Sequence, residues 1–457
     1  MQAKGVLRRL TRHFRDGRGG NFGLMAAIIA PVVLLAAGYG INVTQISLTR
    51  SNLLAALDSA VTSTARDLTT GVIDEEDAPE VVKAFLMANG LRAFAEDGRL
   101  TLDSLVIDKQ ARTVSAVASV ELDVAFALFG AANKQIITTE SAALYSDRRI
   151  EIAMMLDVTG SMKGQKIRDL KTAAGNAVTQ LLLANRNGNA RVRIALVPYA
   201  AAVNVGSALG MRTIFEEQPN GPNLPPPNWA RPASLKNNCT TERRLPDGSA
   251  DFSDVGPYDE RMNNDDKYYQ TLVNRDDRLR SCPNAQLVPL TANEDTLQDT
   301  IQDFSADGYT GGGIAAQWGY YMLSPNWRRV IRDAGLGDGP ADPDPDEVSK
   351  VAILMTDGVF NTTFVGTSTW PEGGEEALST SNAERVCEEM KKDGIEVFTI
   401  GFALPAGEVS AARRVLEDCA SDDTGAVRHF HEASTGEELD ETFREIARNI
   451  ETLALTR

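Results

Sequence analysis

An open, doubly wound α/β domain with a mostly parallel sheet is predicted for residues 148–457. It follows an N-terminal transmembrane helix and a small α+β segment. Three observations predict this. Apolar runs of strand length alternate with helix-length amphipathic stretches from Arg149 onward, the rhythm of a parallel sheet covered on both faces. Before them, Phe22 to Val43 is a mostly apolar stretch long enough to span a bilayer. Between the two, polar and apolar residues alternate with the period of half-buried strands.

The chain has 457 residues and a formal charge of −17, room for two or three domains. Residues 1–20 carry Lys4, Arg8, Arg9, Arg12, Arg15 and Arg18 against Asp16 alone, a charge of +5, which leaves −22 for the rest. So acidic a body would be repelled by phosphate, which argues against a nucleic-acid partner. The basic leader 1–20 precedes a stretch, 19–49, without a charged side chain. Basic residues before an apolar span place the N-terminus in the cytoplasm and everything after Val43 outside. A cleaved signal peptide is the alternative, since Ala36-Ala37-Gly38 offers small residues at a cleavage point. The apolar run is long for a signal, however, and a helical pattern continues through Ile46, Leu53, Leu54, Leu57, Val61, Ala65 and Leu68. An uncleaved anchor over 21–44, kinked at Pro31, is the expectation.

Residues 45–147 then hold the rest of that long helix and a second one from Pro79 to Phe94. Strands are expected over Leu100–Ile107, around Val114 to Val124, and over Gln135–Leu144. In the α/β domain the expected strands are Ile150–Leu156, Val192–Tyr199, Gln286–Leu290, Val351–Met355, Glu396–Phe402 and Val427–His431. The expected helices are Gly164–Leu183, Asp295–Phe304, Gly313–Leu323, Asn382–Lys392, Glu408–Asp418 and Gly436–Leu453. Residues 204–285 interrupt the rhythm. They are rich in Pro, Asn, Asp and Arg with little periodicity, and leave the carboxyl end of the second strand as an insertion. Such an insertion either shapes the face it overhangs or is a surface loop. The acidic stretch Gly335–Glu347 reads as a solvated loop, because Pro343 and Pro345 break calcium-loop spacing.

Cys239, Cys282, Cys387 and Cys419 all follow the anchor and form no Cys-x-x-Cys pair. An even count in an exported domain implies two disulfides. Of three connectivities, Cys239–Cys282 across the insertion and Cys387–Cys419 between two helices are favoured. His429 and His431 are expected on one face of a strand in structural roles.

The residues with chemistry lie where strands end. Asp157-Val158-Thr159-Gly160-Ser161 follows the run Ile152 to Leu156. Thr310 sits in Gly308-Tyr309-Thr310-Gly311, and Asp357-Gly358 follows Val351 to Met355. Loops at the carboxyl ends of parallel strands are where such sheets bind ligands. Two carboxylates and three hydroxyls are hard donors, suited to Mg²⁺ or Mn²⁺ and, with more ligands, Ca²⁺. Taken singly, Ser161 is equally a helix N-cap and Asp357 a turn former.

In that order and context, Asp-x-Thr-x-Ser, Gly-x-Thr-Gly and Thr-Asp-Gly resemble the three loops of the von Willebrand factor A domain. That family carries a metal-ion-dependent adhesion site there. The resemblance implies metal ligation by Asp157, Thr159, Ser161, Thr310 and Asp357, with Thr159 where the family more often has Ser. The long helix and small sheet resemble a pilin-like module. Arg18-Gly19-Gly20-Asn21-Phe22, Ala55-Ala56-Leu57-Asp58-Ser59-Ala60 and Ile450-Glu451-Thr452-Leu453-Ala454-Leu455-Thr456 are similar to TadG-type proteins of the Tad (Flp pilus) system. This implies a single-pass bacterial inner-membrane protein with a periplasmic or surface-displayed domain. It also implies a role in pilus assembly or attachment, with other Tad/Flp pilus proteins or an acidic side chain of a protein ligand as partner. No acid follows Gly20 within five residues, so prepilin-type processing is not expected. An enzyme is not expected either. Aspartyl-phosphate phosphatases, the competing Mg-dependent hydrolases, need Asp where Thr159 stands, and no Walker loop or Gly-x-Ser-x-Gly elbow is present. A metal-free scaffold is the third reading.

Overall fold

The computed structural model describes residues 21–69, 72–109, 111–124, 126, 133–145, 148–185, 190–217, 237–262, 268–345, 347–367, 373–404, 409–425 and 427–456. The leader 1–20 lies outside them. The chain forms two compact units, Met1–Arg66 with Glu75–Tyr145, and Asp67–Asp74 with Ser146–Arg457.

In the first unit, helix α1 (Asn21–Thr69) runs through Pro31 as one helix. At 1.5 Å per residue it is about 70 Å long, more than twice a bilayer's hydrocarbon thickness. By length and composition, Met25–Thr69 includes a span that can cross a membrane. Ile28, Ile29, Val32, Val33 and Leu34 are exposed there, whereas Leu53, Ala56, Leu57, Ala60 and Val61 further along are buried. Leu54, expected on the buried face, is 41% exposed. It lies about 100° around the helix from Leu53, and Ala56 and Ala60 take the face instead. The expected second helix is split. Helix α2 (Ala78–Leu86) and α3 (Arg92–Glu96) flank a turn in which Gly90 has φ +92°, a left-handed conformation glycine adopts without strain. Strands β1 (Leu100–Asp108), β2 (Thr113–Asp123) and β3 (Lys134–Leu144) form an antiparallel sheet with β2 central. Val114, Ala116, Ala118, Val120 and Leu122 of β2 are all buried, the period of two read from the sequence.

The second unit is the doubly wound α/β domain. Strands β4 (Arg149–Asp157), β5 (Val192–Tyr199), β7 (Val348–Thr356), β8 (Glu396–Phe402) and β9 (Phe430–Ala433) pair in parallel in the order β9-β8-β7-β4-β5. Strand β6 (Val288–Thr291) instead lies antiparallel on β5. The last strand begins at Phe430 rather than Val427, so His429 precedes it.

Successive side chains of β4 feed opposite layers. Ile150, Ile152, Met154 and Leu156 pack with α4 (Gln165–Leu182), α5 (Glu294–Gln302) and α10 (Gly436–Thr456). Ala153 and Met155 pack with α6 (Gly312–Leu323), α8 (Glu376–Lys392) and α9 (Val409–Cys419). A further helix, α7 (Arg328–Asp333), was not legible as a separate element. From β4 the chain passes to β5 on one side, and later to β7 on the other. The topological switch point therefore lies between the carboxyl ends of β4 and β7, the position where open α/β sheets bind ligands.

The described residues of the insertion 204–285 hold more regular structure than its composition suggests. It contains the helix Gly206–Thr213 and short strands. Ile214–Glu216 pairs with Val273–Arg275, and Cys239–Thr240 extends the main sheet through Val203–Asn204. Several of its charges, Glu217, Glu242, Arg243, Asp251, Arg275 and Asp276, are buried. Arg243 is 1% exposed, meets Asp251 at 3.0 Å and lies over the Tyr321 ring at 5.2 Å. The bridges are Cys239–Cys282 within the insertion and Cys387–Cys419 between α8 and α9.

Candidate metal centre

Asp157 ends β4 and is fully buried. Its Oδ1 accepts from the Thr159 backbone N–H at 2.8 Å, and its Oδ2 accepts from the Thr356 hydroxyl at 2.8 Å. Burial first, and then the charge of Asp357, push the Asp157 carboxyl up to about 7, against the pull of the Thr159 and Thr356 hydrogen bonds. Asp357, also fully buried, starts the loop after β7. Its Oδ1 accepts from the Ser161 hydroxyl at 2.5 Å and its Oδ2 from the Lys166 ammonium at 2.8 Å.

Thr159 Oγ1 and Ser161 Oγ are 2.8 Å apart. Ser161 spends its one hydrogen on Asp357, so Thr159 is the donor in that pair. Both hydroxyl oxygens keep lone pairs. One chain of hydrogen bonds thus joins Asp157, Thr159, Ser161 and Asp357 across two loops separated by 196 residues of sequence. Ser161 is consequently not a helix cap. Helix α4 is capped by Gly164, which has no side chain to offer, and the Ser161 hydroxyl faces the third loop.

Thr310 joins the cluster through its backbone. Its N–H donates to Asn361 Oδ1 at 2.9 Å, and its carbonyl accepts from the N–H groups of Asn361 (2.9 Å) and Thr362 (3.2 Å). Gly160 N–H donates to the Gly308 carbonyl at 2.9 Å, tying first loop to second. A side chain at Gly160 would bring a Cβ within 3.2 Å of that carbonyl. No hydrogen bond from the Thr310 hydroxyl to the other four residues is present among the described residues. All three loops therefore meet, four residues by direct side-chain chemistry and Thr310 by the loop that carries it.

Sequence reasoning missed four contributors. Thr356 holds Asp157. Tyr199, paired in register with Asp157, donates from its buried hydroxyl to the Met355 carbonyl at 2.9 Å. Asn361 orients Thr310. Lys166 supplies a positive charge and also donates to the Ala403 carbonyl at 3.2 Å. The adjacency Thr356-Asp357 was the one visible signal, since a hydroxyl beside a strand-terminal acid falls on the neighbouring strand's end.

The insertion grips the third loop. Glu242 accepts from the Thr363 hydroxyl (2.5 Å) and the Phe364 N–H (3.2 Å), and the Phe364 carbonyl accepts from Arg244 (2.9 Å) and Arg278 (2.6 Å). A second acidic group, Glu217, Asp276 and Asp277, lies in the insertion, where Arg244 and Arg278 pair with Asp276. His429 is fully buried with Nε2 2.7 Å from Glu396 Oε1, and His431 Nε2 lies 3.0 Å from the Arg428 carbonyl. Both sit inside the fold, away from the three loops in sequence and pairing.

Switch-point sheet, three-loop oxygen cluster and apolar helix define the class: a doubly wound α/β domain with an oxygen-rich site at its switch point, following a long apolar N-terminal helix. More particularly, residues 20–67 match the family model of putative Flp pilus-assembly TadE/G-like proteins. No curated protein sequence matches the chain. Among solved structures, the chain is similar to the pilus adhesin SpaC from Lactobacillus rhamnosus GG. The identity is 11% and the TM-score 0.37, over 74% of this chain and 33% of SpaC. The vWF domain of the type V pili tip protein Mfa5 from Porphyromonas gingivalis is 14% identical with TM-score 0.38, over 68% of this chain and 97% of that one. Proximal thread matrix protein 1 from the mussel byssus, with a zinc-occupied MIDAS motif, is 13% identical with TM-score 0.32, over 66% and 46% of the two chains. The chain spans about a third of the length of SpaC. The fold assignment rests on the strand order and loop geometry above.

Proposed function

We propose that this chain is a membrane-anchored envelope protein of Flp pilus assembly whose A-like domain binds a partner through a divalent ion. Asp157, Thr159, Ser161, Thr310 and Asp357 would hold that ion. The observation that carries the reading is the hydrogen-bond chain that brings two fully buried carboxylates and two hydroxyls onto one point between β4 and β7. Burying carboxylates is costly unless positive charge compensates them, and Lys166 faces Asp357 but not Asp157. Five oxygen donors, directly or through water, leave room in a six-coordinate shell for an acidic side chain of the partner. The ion would supply the local positive charge that lets an acidic protein bind an acidic ligand. We further propose that the N-terminus is cytoplasmic and the A-like domain lies outside the inner membrane, with 45–147 as a pilin-like stalk. Exported disulfides suit that placement.

Thermal unfolding of the full chain in detergent, followed by tryptophan fluorescence, tests this. All four tryptophans, Trp229, Trp318, Trp327 and Trp370, lie in the A-like region. A ligand at about a hundred times its dissociation constant stabilises by roughly 2.7 kcal/mol, on the order of 5–10 °C here. The expected result is such a rise with Mg²⁺, Mn²⁺ or Ca²⁺ over chelator, absent from Asp157→Ala. No rise with any ion, or an equal rise in the variant, overturns the reading.

A further inference from the structure

Lys166 is a cation built into the candidate metal centre. It is the second residue of α4, and its side chain is 28% exposed. From there the ammonium reaches inward to Asp357 Oδ2 at 2.8 Å. A second acceptor, the Ala403 carbonyl, lies 3.2 Å away. Ala403 has φ +45°, a left-handed conformation that a residue with a Cβ adopts at a cost. Its N–H donates to the Ala433 carbonyl at 2.7 Å, which fixes the turn after β8 while the Ala403 carbonyl faces the ammonium. Two elements that share no sequence with the three loops thus converge to hold a positive charge on the third loop's carboxylate.

The four carboxylate oxygens are then each matched to one donor. Asp157 takes the Thr159 N–H and the Thr356 hydroxyl, and Asp357 takes Ser161 and Lys166. Three of those donors are neutral and are hinged on the site's own loops. Lys166 alone is charged, and it contributes no lone pair to a metal. An ammonium and a divalent ion beside one carboxylate repel each other.

We propose that Lys166 is a resident counter-cation that competes with the divalent ion for Asp357. It holds that carboxylate in the unloaded protein and raises the ion concentration needed to load the site. This rests on the metal-centre reading above, and makes Lys166 a positioning and selectivity residue rather than a ligand. Its methylene stem is flexible, so the ammonium swings toward solvent when the ion enters.

The test is a comparison of wild type, Lys166→Met, Lys166→Arg and Asp157→Ala as full chains in detergent. Mn²⁺ affinity is read by titration calorimetry, and thermal midpoints in Mn²⁺ and in chelator by tryptophan fluorescence. Lys166→Met is expected to bind Mn²⁺ about tenfold more tightly, the scale of removing one repelling charge at a partly exposed site. Its midpoint should fall in chelator and recover in Mn²⁺, so that the ion-induced rise exceeds that of wild type. Lys166→Arg keeps the charge and should behave as wild type. A wild-type rise equal to that of Lys166→Met, with unchanged affinity, overturns the inference and leaves the metal centre standing. Weaker Mn²⁺ binding in Lys166→Met also overturns it, since the lysine would then support the ion. No wild-type rise beyond that of Asp157→Ala overturns both readings.

Discussion

Arg278→Met tests whether the insertion holds the third loop in place. The Arg278 guanidinium donates to the carbonyls of Phe364 (2.6 Å) and Thr367 (3.0 Å). It also meets both oxygens of Asp276, Nε at 2.9 Å and Nη2 at 2.8 Å. Methionine keeps much of the apolar stem and removes these four bonds. A hydrogen bond to a charged group contributes about 1.5–3 kcal/mol when buried, and less at a side chain 23% exposed. Two of the acceptors retain Arg244, which bonds the Phe364 carbonyl at 2.9 Å and also pairs with Asp276. The net loss is therefore about 2–3 kcal/mol, not the sum of four bonds. In a domain of this size each kcal/mol moves the midpoint by roughly 2–4 °C, so tryptophan fluorescence should report a fall on the order of 4–12 °C. Hydrogen exchange should localise it, with amides from Val359 to Thr367 opening faster while those of α4 are unchanged. If the midpoint falls by less than about 1 °C, or if exchange in the third loop is unaltered, the insertion does not set the position of Asp357.

Two further variants probe the same neighbourhood. Glu217 is pushed up to about 7, by burial first and by Asp276 next, against the pull of Arg244 and Asn274. The unfolded acid loses its proton near its ordinary value while the folded one keeps it, so stability falls as pH rises from about 4.5 to about 7 and is level above. Glu217→Gln keeps a partner for Asn274 Nδ2 and should remove that slope. A difference between the two proteins' midpoints that is constant over this range would refute it. Gly312→Ala should destabilise despite alanine's better helix propensity, because its Cβ would lie 2.3 Å from the buried Phe360 ring, three residues beyond Asp357. Overpacking costs about 1–3 kcal/mol against a propensity gain of about 1 kcal/mol. Equal or higher stability, with unchanged Mn²⁺ affinity, would show that Phe360 yields freely.

Strands β4, β5, β7 and β8 were legible because each is buried on both faces and so reads as an unbroken apolar run. That they end in Asp157 and Asp357 was legible for the same reason, since an acid closing such a run has to sit at a loop. The insertion was not. Arg243, Asp251, Arg244 and Asp276 look like surface residues in the sequence. Arg243, Asp251 and Asp276 are buried and Arg244 half-buried because each finds an opposite charge at a separation of 8 to 32 residues, and pairing across such distances leaves no periodic trace. Helix α7 and the split of the second helix have local causes that the periodicity passed over, the Ser324-Pro325 cap and the left-handed Gly90. Lys166 drew no reading in the sequence, because only the fold brings the loop after β7 and the turn after β8 within its reach.

The same geometry bears on the choice between the proposed ion-mediated adhesion and the hydrolase that an acid at a strand end also suggests. An aspartyl nucleophile needs an oxygen open to an incoming phosphoryl group and a second acid to manage the leaving group's proton. Asp157 is fully buried, and each of its oxygens accepts a hydrogen bond from the strand-end framework. The position two residues on is Thr159, whose hydroxyl is directed at Ser161. Opening Asp157 for attack would require breaking the Thr356 bond inside the core, where an unmet buried polar group costs about 1–3 kcal/mol. The accessible member of the cluster is instead Ser161, exposed at the rim and joined directly to Asp357. Carboxylates turned inward and a hydroxyl edge facing out are what the proposed ion-holding role requires. On the proposed reading, a partner's acidic side chain would meet the ion at that edge.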